Sequence, residues 1–307
     1  MKKLWGAAAM IAATLLWGGA FSAQSTGMRY LEPLPFTAIR SVIGMTALAV
    51  LIILLDLIRT RRLSFWGSAD SSEAKKELLA GGFWCGIVIA AASTFQQYGL
   101  KYTTAGKTGF LTALYIVIVP MLGILFRRRT SPVLWLAAAM ALAGSWLLCG
   151  GIGSIGRGEW CVIVCAVIYS VHILVIDRYA ARCDCVRLSC LQFFVASVLL
   201  AAASLTAGSP CGLSAVRGAL PVLLFCGIGS SAVAFTLQMV SQKYLHPVAA
   251  TLLMSLESVF AVLGGWIFLS EVLSLREFCG CCVIFAAVVL AQLPVPHKKT
   301  SAPVQES

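Results

Sequence analysis

The stretches ASTFQQYGLKYTTAGKTGFLTALYIVIVPMLGILF (residues 92–126) and AFTLQMVSQKYLHPVAATLLMSLESVFAVLGGWIF (residues 234–268) align with each other without a gap. The offset from residue 92 to residue 234 is 142 residues, and it pairs Gln96 with Gln238. Apolar helices can match by chance, but polar residues matched at one constant offset indicate an internal repeat. We therefore expect the chain to consist of two related halves.

The repeat extends towards the N-terminus at a different offset. There the offset is about 152 residues, and it pairs Trp17 with Tyr169 and Arg40 with Gln192. A longer polar loop in the first half, RTRRLSFWGSADSSEAKKE (residues 59–77), explains the change of offset.

The composition places the chain in a membrane. Of its 307 residues, 60% are hydrophobic and 11% are charged, and the mean hydropathy is +0.92, whereas soluble proteins have about 25% charged residues. The net charge is +11, but the Lys and Arg residues cluster in short links between apolar runs, as the topology rule for membrane proteins expects. We therefore predict a polytopic protein in contact with the lipid bilayer and no nucleic-acid partner.

Ten apolar runs of roughly 20 residues are long enough to cross a bilayer as helices. They lie at residues 4–24, 35–57, 78–98, 104–126, 133–151, 160–176, 188–207, 219–240, 247–269 and 275–293. The predicted fold class is therefore an all-α membrane protein with ten transmembrane helices in two five-helix repeats. Because each half contains an odd number of spans, the second half enters the membrane inverted. Inverted-topology repeats are the architecture of secondary transporters, which bind substrate near the midplane between the halves.

The basic residues predict the orientation. With the N-terminus in the cytoplasm, 16 of the 23 Lys and Arg residues fall in cytoplasmic links and 5 fall outside or at the outer end of a span, while Arg40 and Lys107 lie deeper within spans. This bias predicts that both termini are cytoplasmic. The basic start followed by an apolar run is also typical of a signal peptide, but this run exceeds the usual ~7–15 residues. We interpret residues 4–24 as the first span.

Several motifs resemble those of the EamA-like ten-helix branch of the drug/metabolite transporter superfamily. They are LLWGGAF (15–21), PFTAIR (35–40), GLKYTTAGKTGFLTALYIVIVP (99–120) and LESVFAVLGGWIFLSE (256–271). The resemblance covers nearly the whole chain and implies two five-helix units at 1–150 and 157–293, followed by a cytoplasmic tail at 294–307. It also implies a carrier in the cytoplasmic (inner) membrane that moves small metabolites, often outwards, with amino acids and their relatives among the substrates.

The sequence departs from this family at one position. Glu257 is followed by Ser258, where the family often has proline. The loss of proline removes an expected kink from the ninth span.

Glu257 lies near the middle of the ninth apolar run, where a charge costs roughly 2.5–3.5 kcal/mol on insertion scales. On a helix it shares a face with small residues, including Ala250, Ala261 and Gly264, and such faces pack against other helices. We therefore expect Glu257 to point into the bundle, where it pairs with a substrate ammonium group or exchanges a coupling proton. The alternative is a neutral or hydrogen-bonded glutamate that only fixes helix packing.

Other side chains in the predicted spans are candidates for substrate binding or coupling: Gln96, Gln97, Gln238, Lys107, Tyr115, Trp17, Arg40 and His172. Each also has a structural explanation. The glutamines can hydrogen-bond between helices, and the aromatic rings can pack or form platforms for a ligand. Lys107 and Arg40 lie near outer span ends, where they either reach the surface or bind a substrate carboxylate. His172 is either a proton-coupling group or simply hydrogen-bonded.

Other function classes find little support in the sequence. Motifs of the HExxH and GxSxG type are absent, and the links are too short for a catalytic domain. No set of Cys and His residues has the spacing of a four-ligand zinc site, and no ATP-binding motif occurs. We therefore expect no enzyme activity, metal or cofactor, so that active transport has to draw on an ion or substrate gradient. Cys183 and Cys185, in a polar loop, are the pair to check for metal or redox chemistry.

Several alternatives stay open at this point. One is an exporter of lipophilic drugs or of nucleobases and nucleosides, and another is a non-transporting membrane scaffold or sensor. The substrate, the direction of transport and the coupling ion are open as well. So is a homodimer, for which the fifth or tenth span would be the interface.

Overall fold

The computed structural model describes residues 1–59, 61–67, 69, 71–125, 131–149, 155–209, 211–269 and 274–292; the predicted tail at 294–307 lies outside them. All regular secondary structure in these ranges is helical. The helices are α1 (Lys2–Gly27), α2 (Pro33–Arg59), α3 (Ser72–Tyr102), α4 (Ala105–Thr112), α5 (Tyr115–Leu125), α6 (Pro132–Cys149), α7 (Arg157–Ala180), α8 (Cys185–Thr206), α9 (Leu213–Leu224), a π-helical segment (Phe225–Ala234), α10 (Phe235–Gln242), α11 (Pro247–Met254), α12 (Leu256–Leu269) and α13 (Leu275–Gln292).

Seven helical segments in the described residues are long and apolar enough to cross a membrane. Two of them combine consecutive elements, namely α4 with α5 (Ala105–Leu125) and α9 with the π-helical segment and α10 (Leu213–Gln242). Shorter apolar helices cover Pro132–Leu148 and Pro247–Leu263. The predicted all-helical membrane class is therefore confirmed, whereas the number of crossings and their inverted order stay predictions.

Two predicted spans are interrupted at matching positions of the two halves. α4 ends at Thr112 and α11 at Met254, and these ends differ by the repeat offset of 142 residues. Near each break a backbone N–H donates to the carbonyl three residues earlier, Leu114 to Leu111 at 3.2 Å and Ser258 to Ser255 at 3.3 Å. This is the tighter pattern of a 3₁₀ turn. Periodicity predicted continuous helices here, and neither break contains a proline.

The last helices of the two halves, α6 and α13, pack through a reciprocal glycine contact. A Cβ added to Gly144 would lie 2.8 Å from the carbonyl oxygen of Gly280, and one added to Gly280 would lie 2.8 Å from that of Gly144. Ile284 packs on Gly144 in the same way that Leu148 packs on Gly280. Such mutual contacts are the pattern that a two-fold axis produces.

A similar correspondence relates the contact of α3 with α8 to that of the π-helical segment with α2. A Cβ added to Gly86 would lie 2.8 Å from the carbonyl oxygen of Gln192, and one added to Gly227 would lie 3.0 Å from that of Arg40. The offset between the two glycines is 141 residues, whereas the repeat offset from residue 92 onwards is 142 residues. The second half therefore has one extra residue after Gly227, and the wider π-helical turns accommodate it.

The same glycine–tyrosine contact occurs twice in the bundle. Gly158, at the start of α7, packs on Tyr102, at the end of α3, where an added Cβ would lie 2.9 Å from the tyrosine carbonyl carbon. Gly6, near the start of α1, packs on Tyr244 after α10, with the corresponding distance to the tyrosine Cβ being 3.2 Å. The two glycines are 152 residues apart and the two tyrosines 142. The contacts are therefore related by the repeat.

These two contacts lie at opposite ends of the bundle. The Gln97 side-chain amide, near the end of α3, donates to the carbonyl oxygen of Gln24, near the end of α1, at 3.4 Å. The ends of α1 and α3 are therefore on the same side, together with the Gly158–Tyr102 contact. Gly6 lies roughly 27 Å away from that side along α1, at 1.5 Å per residue.

We predict that Gly144→Val destabilises the protein, because the added side chain meets Ile284 Cγ1 at 2.7 Å and the Gly280 carbonyl oxygen at 2.8 Å. Overpacking of this kind costs about 1–3 kcal/mol. The measurement is the midpoint of thermal unfolding in detergent, followed by circular dichroism. Gly106→Val is the matched control, since a Cβ added to Gly106 meets nothing within 4 Å. Equal midpoints for the two variants would contradict the close approach of α6 and α13.

Candidate functional site

A cavity lies where the two interrupted helices meet. Its empty volume is about 460 Å³, and Thr112 and Tyr115 from one break and Met254 and Glu257 from the other contribute to its wall. The remaining lining residues are Trp17, Ala20, Phe21, Gln24, Arg40, Gln96, Tyr169, Ser230, Phe235 and Gln238. In membrane carriers built from repeats, the substrate site is typically formed by helices that are interrupted in this way.

Four pairs of repeat-related residues line this cavity. They are Trp17 with Tyr169 at the offset of 152 residues, and Gln96 with Gln238, Thr112 with Met254, and Tyr115 with Glu257 at the offset of 142. Because both members of each pair face the same space, the cavity lies at the seam between the halves. Only the glutamine pair has the same residue type in both halves. The side chains that the two halves contribute are therefore equivalent in position but differ in charge and shape.

Glu257 is buried at this seam, with 4% of its surface exposed. Its Oε1 accepts a hydrogen bond from the Tyr115 hydroxyl at 3.0 Å. It lies in the first turn of α12, where the helix dipole favours a negative charge. In the part of the chain that the structure describes, Glu257 has no ion-pair partner, so a cation that entered the cavity would find it available.

Arg40 is the cationic residue of the cavity wall, with 3% of its surface exposed. Its Nη1 donates to Gln24 Oε1 at 2.9 Å, and its buried Nε has no hydrogen-bond partner among the described atoms. A buried donor without a partner costs about 1–3 kcal/mol. Arg40 therefore has donor capacity left for a group inside the cavity.

Aromatic rings and amides form the rest of the wall. Trp17 and Phe235 pack edge to face, with ring centroids 5.0 Å apart. The Tyr169 hydroxyl donates to Gln96 Oε1 at 3.4 Å. Gln238 contacts Met254 Sδ through its Nε2 at 3.9 Å, while its Oε1 is buried without a partner among the described atoms. The wall thus combines flat apolar surfaces with polar groups that can still form hydrogen bonds.

The structure brings together six of the nine residues singled out from the sequence: Trp17, Arg40, Gln96, Tyr115, Gln238 and Glu257. The other three, Gln97, Lys107 and His172, are not part of the cavity wall. Gln97 is fully buried and bonds to the backbone of Gln24. Lys107 Nζ lies 3.5 Å from Glu159 Oε1, and His172 Nε2 lies 2.7 Å from Gln192 Oε1.

Periodicity gave no reason to single out several other members of the wall. Gln24 falls on the last residue of the first predicted span, where a polar side chain is ordinary, and only its bond to Arg40 gives it a place in the site. Thr112 and Met254 look like unremarkable helix residues. The repeat offset was the signal available for them, because they occupy positions three residues before Tyr115 and Glu257.

The cysteine pair between α7 and α8 has the character of core residues. Cys183 and Cys185 are both buried, and burial raises the pKa of the Cys183 thiol to about 11. A thiol with a raised pKa is a poor nucleophile and a poor metal ligand at neutral pH. Within the described ranges, no cluster of three His, Cys, Asp or Glu side chains is arranged to hold a metal ion.

Comparison with known proteins extends this description. The profile of the EamA-like transporter family matches residues 4–150 and again residues 156–293. An uncharacterized transporter of Archaeoglobus fulgidus is 27% identical over 301 residues, which cover 96% of this chain and 88% of the relative. The uncharacterized transporter YoaV of Bacillus subtilis is 23% identical over 286 residues, which cover 90% and 94%.

A solved structure has the same fold. It is a crystal structure described only as that of a protein, and its TM-score against this chain is 0.74, covering 94% of this chain and 96% of the other. The two sequences are 21% identical, so the likeness concerns the fold alone.

We predict that Tyr115 and Glu257 are energetically coupled. Tyr115→Phe leaves a buried carboxylate without its donor, which costs about 1–3 kcal/mol, whereas in the Glu257→Gln background the same change removes only a bond between neutral groups. The free energies of unfolding of the wild type, both single variants and the double variant give the coupling energy, which we expect to be about 1 kcal/mol. The cycle of Tyr115→Phe with Glu73→Gln, an exposed residue of α3, is the control. Additivity in both cycles would contradict the bond.

Proposed function

We propose that this chain, which belongs to the EamA-like transporter family, carries a zwitterionic small metabolite, such as an amino acid, through the cavity between its halves. We further propose that it works as a secondary transporter and exports its substrate from the cytoplasm. The family and both relatives are named as transporters, which supports a carrier rather than an enzyme.

One observation carries the choice of substrate: the same cavity contains a buried cation, Arg40, and a buried carboxylate, Glu257. They do not satisfy each other, since Arg40 bonds to Gln24 and Glu257 bonds to Tyr115. An amino acid has a carboxylate for Arg40 and an ammonium group for Glu257. Charge-assisted hydrogen bonds of this kind are roughly twice as strong as neutral ones.

The remaining wall suits the apolar part of such a substrate. The rings of Trp17, Tyr169 and Phe235 offer flat surfaces, and Met254 is a flexible apolar neighbour that adapts to different shapes. We therefore expect this part of the wall to contact an apolar or aromatic side chain of the substrate.

A lipophilic cation is the second candidate, and the presence of Trp17 and Glu257 in the same cavity wall favours it. A cation held over an aromatic face gains about 0.5–2 kcal/mol, and Glu257 would neutralise its charge. Such a substrate makes no use of Arg40. Dependence of transport on Arg40 therefore separates the two candidates.

The proposed membrane topology has ten crossings, with the second half inverted relative to the first. The reciprocal contacts between α6 and α13 and the repeat-related contacts at opposite ends of the bundle support it. Together with the bias of Lys and Arg, it assigns both termini to the cytoplasm. The Gly158–Tyr102 contact then faces outwards, and the Gly6–Tyr244 contact faces the cytoplasm.

Alternating access requires these two end contacts to open in turn, and they differ in chemistry. At the proposed outer end, the Glu159 carboxylate of the second half accepts a bond from the Thr103 hydroxyl at 2.6 Å and lies 3.5 Å from Lys107 Nζ, both of the first half. The repeat-related residues at the other end are apolar: Ala7, Leu245 and Ala249. Outward opening therefore has to break polar bonds that cytoplasmic opening does not involve.

We predict that Glu257→Gln lowers export of the zwitterionic substrate about tenfold or more, because the loss of a charge-assisted bond removes at least ~1.5 kcal/mol. Arg40→Gln is expected to cause a similar loss. The measurement is the extracellular metabolite profile of cells that produce each protein at matched membrane levels. Glu73→Gln, which removes an exposed carboxylate, is the control and leaves export unchanged.

The outcomes of this experiment separate the proposals. Export of a cation that survives Arg40→Gln but not Glu257→Gln would favour the lipophilic-cation carrier. Unchanged export by Glu257→Gln would remove this residue from the mechanism. A wild-type profile identical to that of empty cells would favour import or a non-transporting role.

We also predict that Glu159→Gln makes the cavity more accessible from outside, because the polar contact at the outer end is weakened. The probe is Ala20→Cys in the cavity wall, labelled by a thiol reagent that does not cross membranes. The background is the labelling rate of the protein that keeps Ala20. After subtraction of this background, we expect Glu159→Gln to raise the labelling rate of Cys at position 20 about fivefold, which corresponds to ~1 kcal/mol. Glu277→Gln is the charge-matched control. Equal rates for both variants would contradict the role of Glu159.

A further inference from the structure

A second recess, separate from the central cavity, lies on the flank of the bundle where α2 meets α8. We call it the α2–α8 groove; its empty volume is about 760 Å³. Its wall is mostly apolar and includes Ala49, Ile53, Leu63, Phe65, Cys190 and Leu191. α2 belongs to the first half and α8 to the second. The groove therefore follows the seam between them.

An ion pair closes the groove at the end of α2. Arg187 Nη2 lies 2.6 Å from Asp56 Oδ1 and 3.1 Å from the carbonyl oxygen of Ser64, and the Ser64 N–H donates to Asp56 Oδ2 at 3.1 Å. Gly67 covers the guanidinium: its φ is +59°, and an added Cβ would lie 2.4 Å from Arg187 Cζ. The loop at 61–67 is thereby fixed over the end of the groove, and the charge of Arg187 is balanced within the protein.

Basic residues flank this closed end. Arg59, Arg61 and Arg62 fall between two groove residues, Asp56 and Leu63, and all three are exposed. Arg59 and Arg61 thereby add positive charge to the surface beside the closed end. Leu63, which follows these arginines, is apolar and exposed. Exposed basic and apolar side chains side by side are typical of protein surface at a membrane interface.

The position of the groove along α2 suits a lipid. α2 has 27 residues, roughly 40 Å at 1.5 Å per residue, so it is longer than the ~30 Å hydrocarbon core of a bilayer. Its last turn with Arg59 therefore reaches the layer of lipid phosphates, while Ala49 and Ile53 lie within the hydrocarbon. A basic cluster above an apolar groove between two membrane helices is an arrangement that binds anionic lipids.

We propose that the α2–α8 groove is a binding site for an anionic glycerophospholipid. One acyl chain lies along Ile53, Cys190 and Leu191, and the phosphate pairs with the guanidinium groups of Arg59 and Arg61. The lipid bridges the two halves at the end where Asp56 and Arg187 already connect them. This proposal does not depend on the identity of the transported substrate.

The test is native mass spectrometry of the purified full-length protein with phosphatidylglycerol and phosphatidylcholine of identical acyl chains. We expect phosphatidylglycerol to remain bound at collision energies that remove phosphatidylcholine, and its occupancy to be about fivefold higher. Arg59→Gln with Arg61→Gln is expected to abolish that preference, and Arg59→Lys with Arg61→Lys to keep most of it. Lys2→Gln with Lys3→Gln removes the same charge elsewhere and leaves the preference unchanged.

A second pair of variants tests the apolar part of the site. Ala49→Phe fills the groove and is expected to lower the occupancy of both lipids, whereas Val50→Phe, at the next and more exposed residue of α2, leaves it unchanged. Equal retention of the two lipids by the wild type would overturn the proposal, as would a preference that survives the loss of Arg59 and Arg61. The proposal would also be overturned if the wild type were detected as a dimer and Ala49→Phe as a monomer. That result would identify a second copy of the chain as the occupant of the groove.

Discussion

The hydrogen bond between the Tyr115 hydroxyl and the Glu257 carboxylate is the interaction on which the centre of this protein depends. A carboxylate with 4% exposure in a membrane helix needs a donor, and the donor comes from the repeat-related position of the other half, 142 residues away. Tyr115 is the first residue after one helix break, and Glu257 is the second residue after the other. The bond therefore joins the two breaks, keeps the interrupted helices side by side, and leaves room between them for a ligand.

The same comparison shows how a scaffold of two related halves can form an asymmetric binding site. Repeat-related positions guarantee that each half sends side chains into the same space, but they do not require the same chemistry. Arg40 corresponds to neutral Gln192, and Glu257 corresponds to Tyr115, so one half supplies the cation and the other the carboxylate. A ligand with both charges then has one preferred direction, which two identical walls would not provide.

The sequence predicted the helical class and the repeat well. The length of an apolar run and the match between two stretches at a constant offset can both be read from the sequence without knowing any three-dimensional contact. The helix breaks were not predicted, since the usual signals are absent. The lack of proline at Ser258 argued for a straight ninth span, yet the helix is interrupted at Ser255, whose hydroxyl bonds to the Leu252 carbonyl at 2.6 Å and so competes with the helical pattern. Lys107 and His172 met the criterion of a polar residue in a span, but Lys107 Nζ and His172 Nε2 contact Glu159 and Gln192 outside the cavity wall. Partners distant in the chain are what composition and periodicity leave undetermined.

The division of charge between the halves also has a mechanical consequence. If the halves rock against each other, the contacts at Gly158–Tyr102 and Gly6–Tyr244 cannot both persist, and opening one end loses packing there. A zwitterion that bridged Arg40 and Glu257, as proposed, would attract the two halves most strongly in the state in which these two groups are closest together. The substrate would then stabilise that state relative to the others. Coupling between binding and movement follows from charge placement alone, because a ligand shifts a conformational equilibrium only through its different affinities for the states.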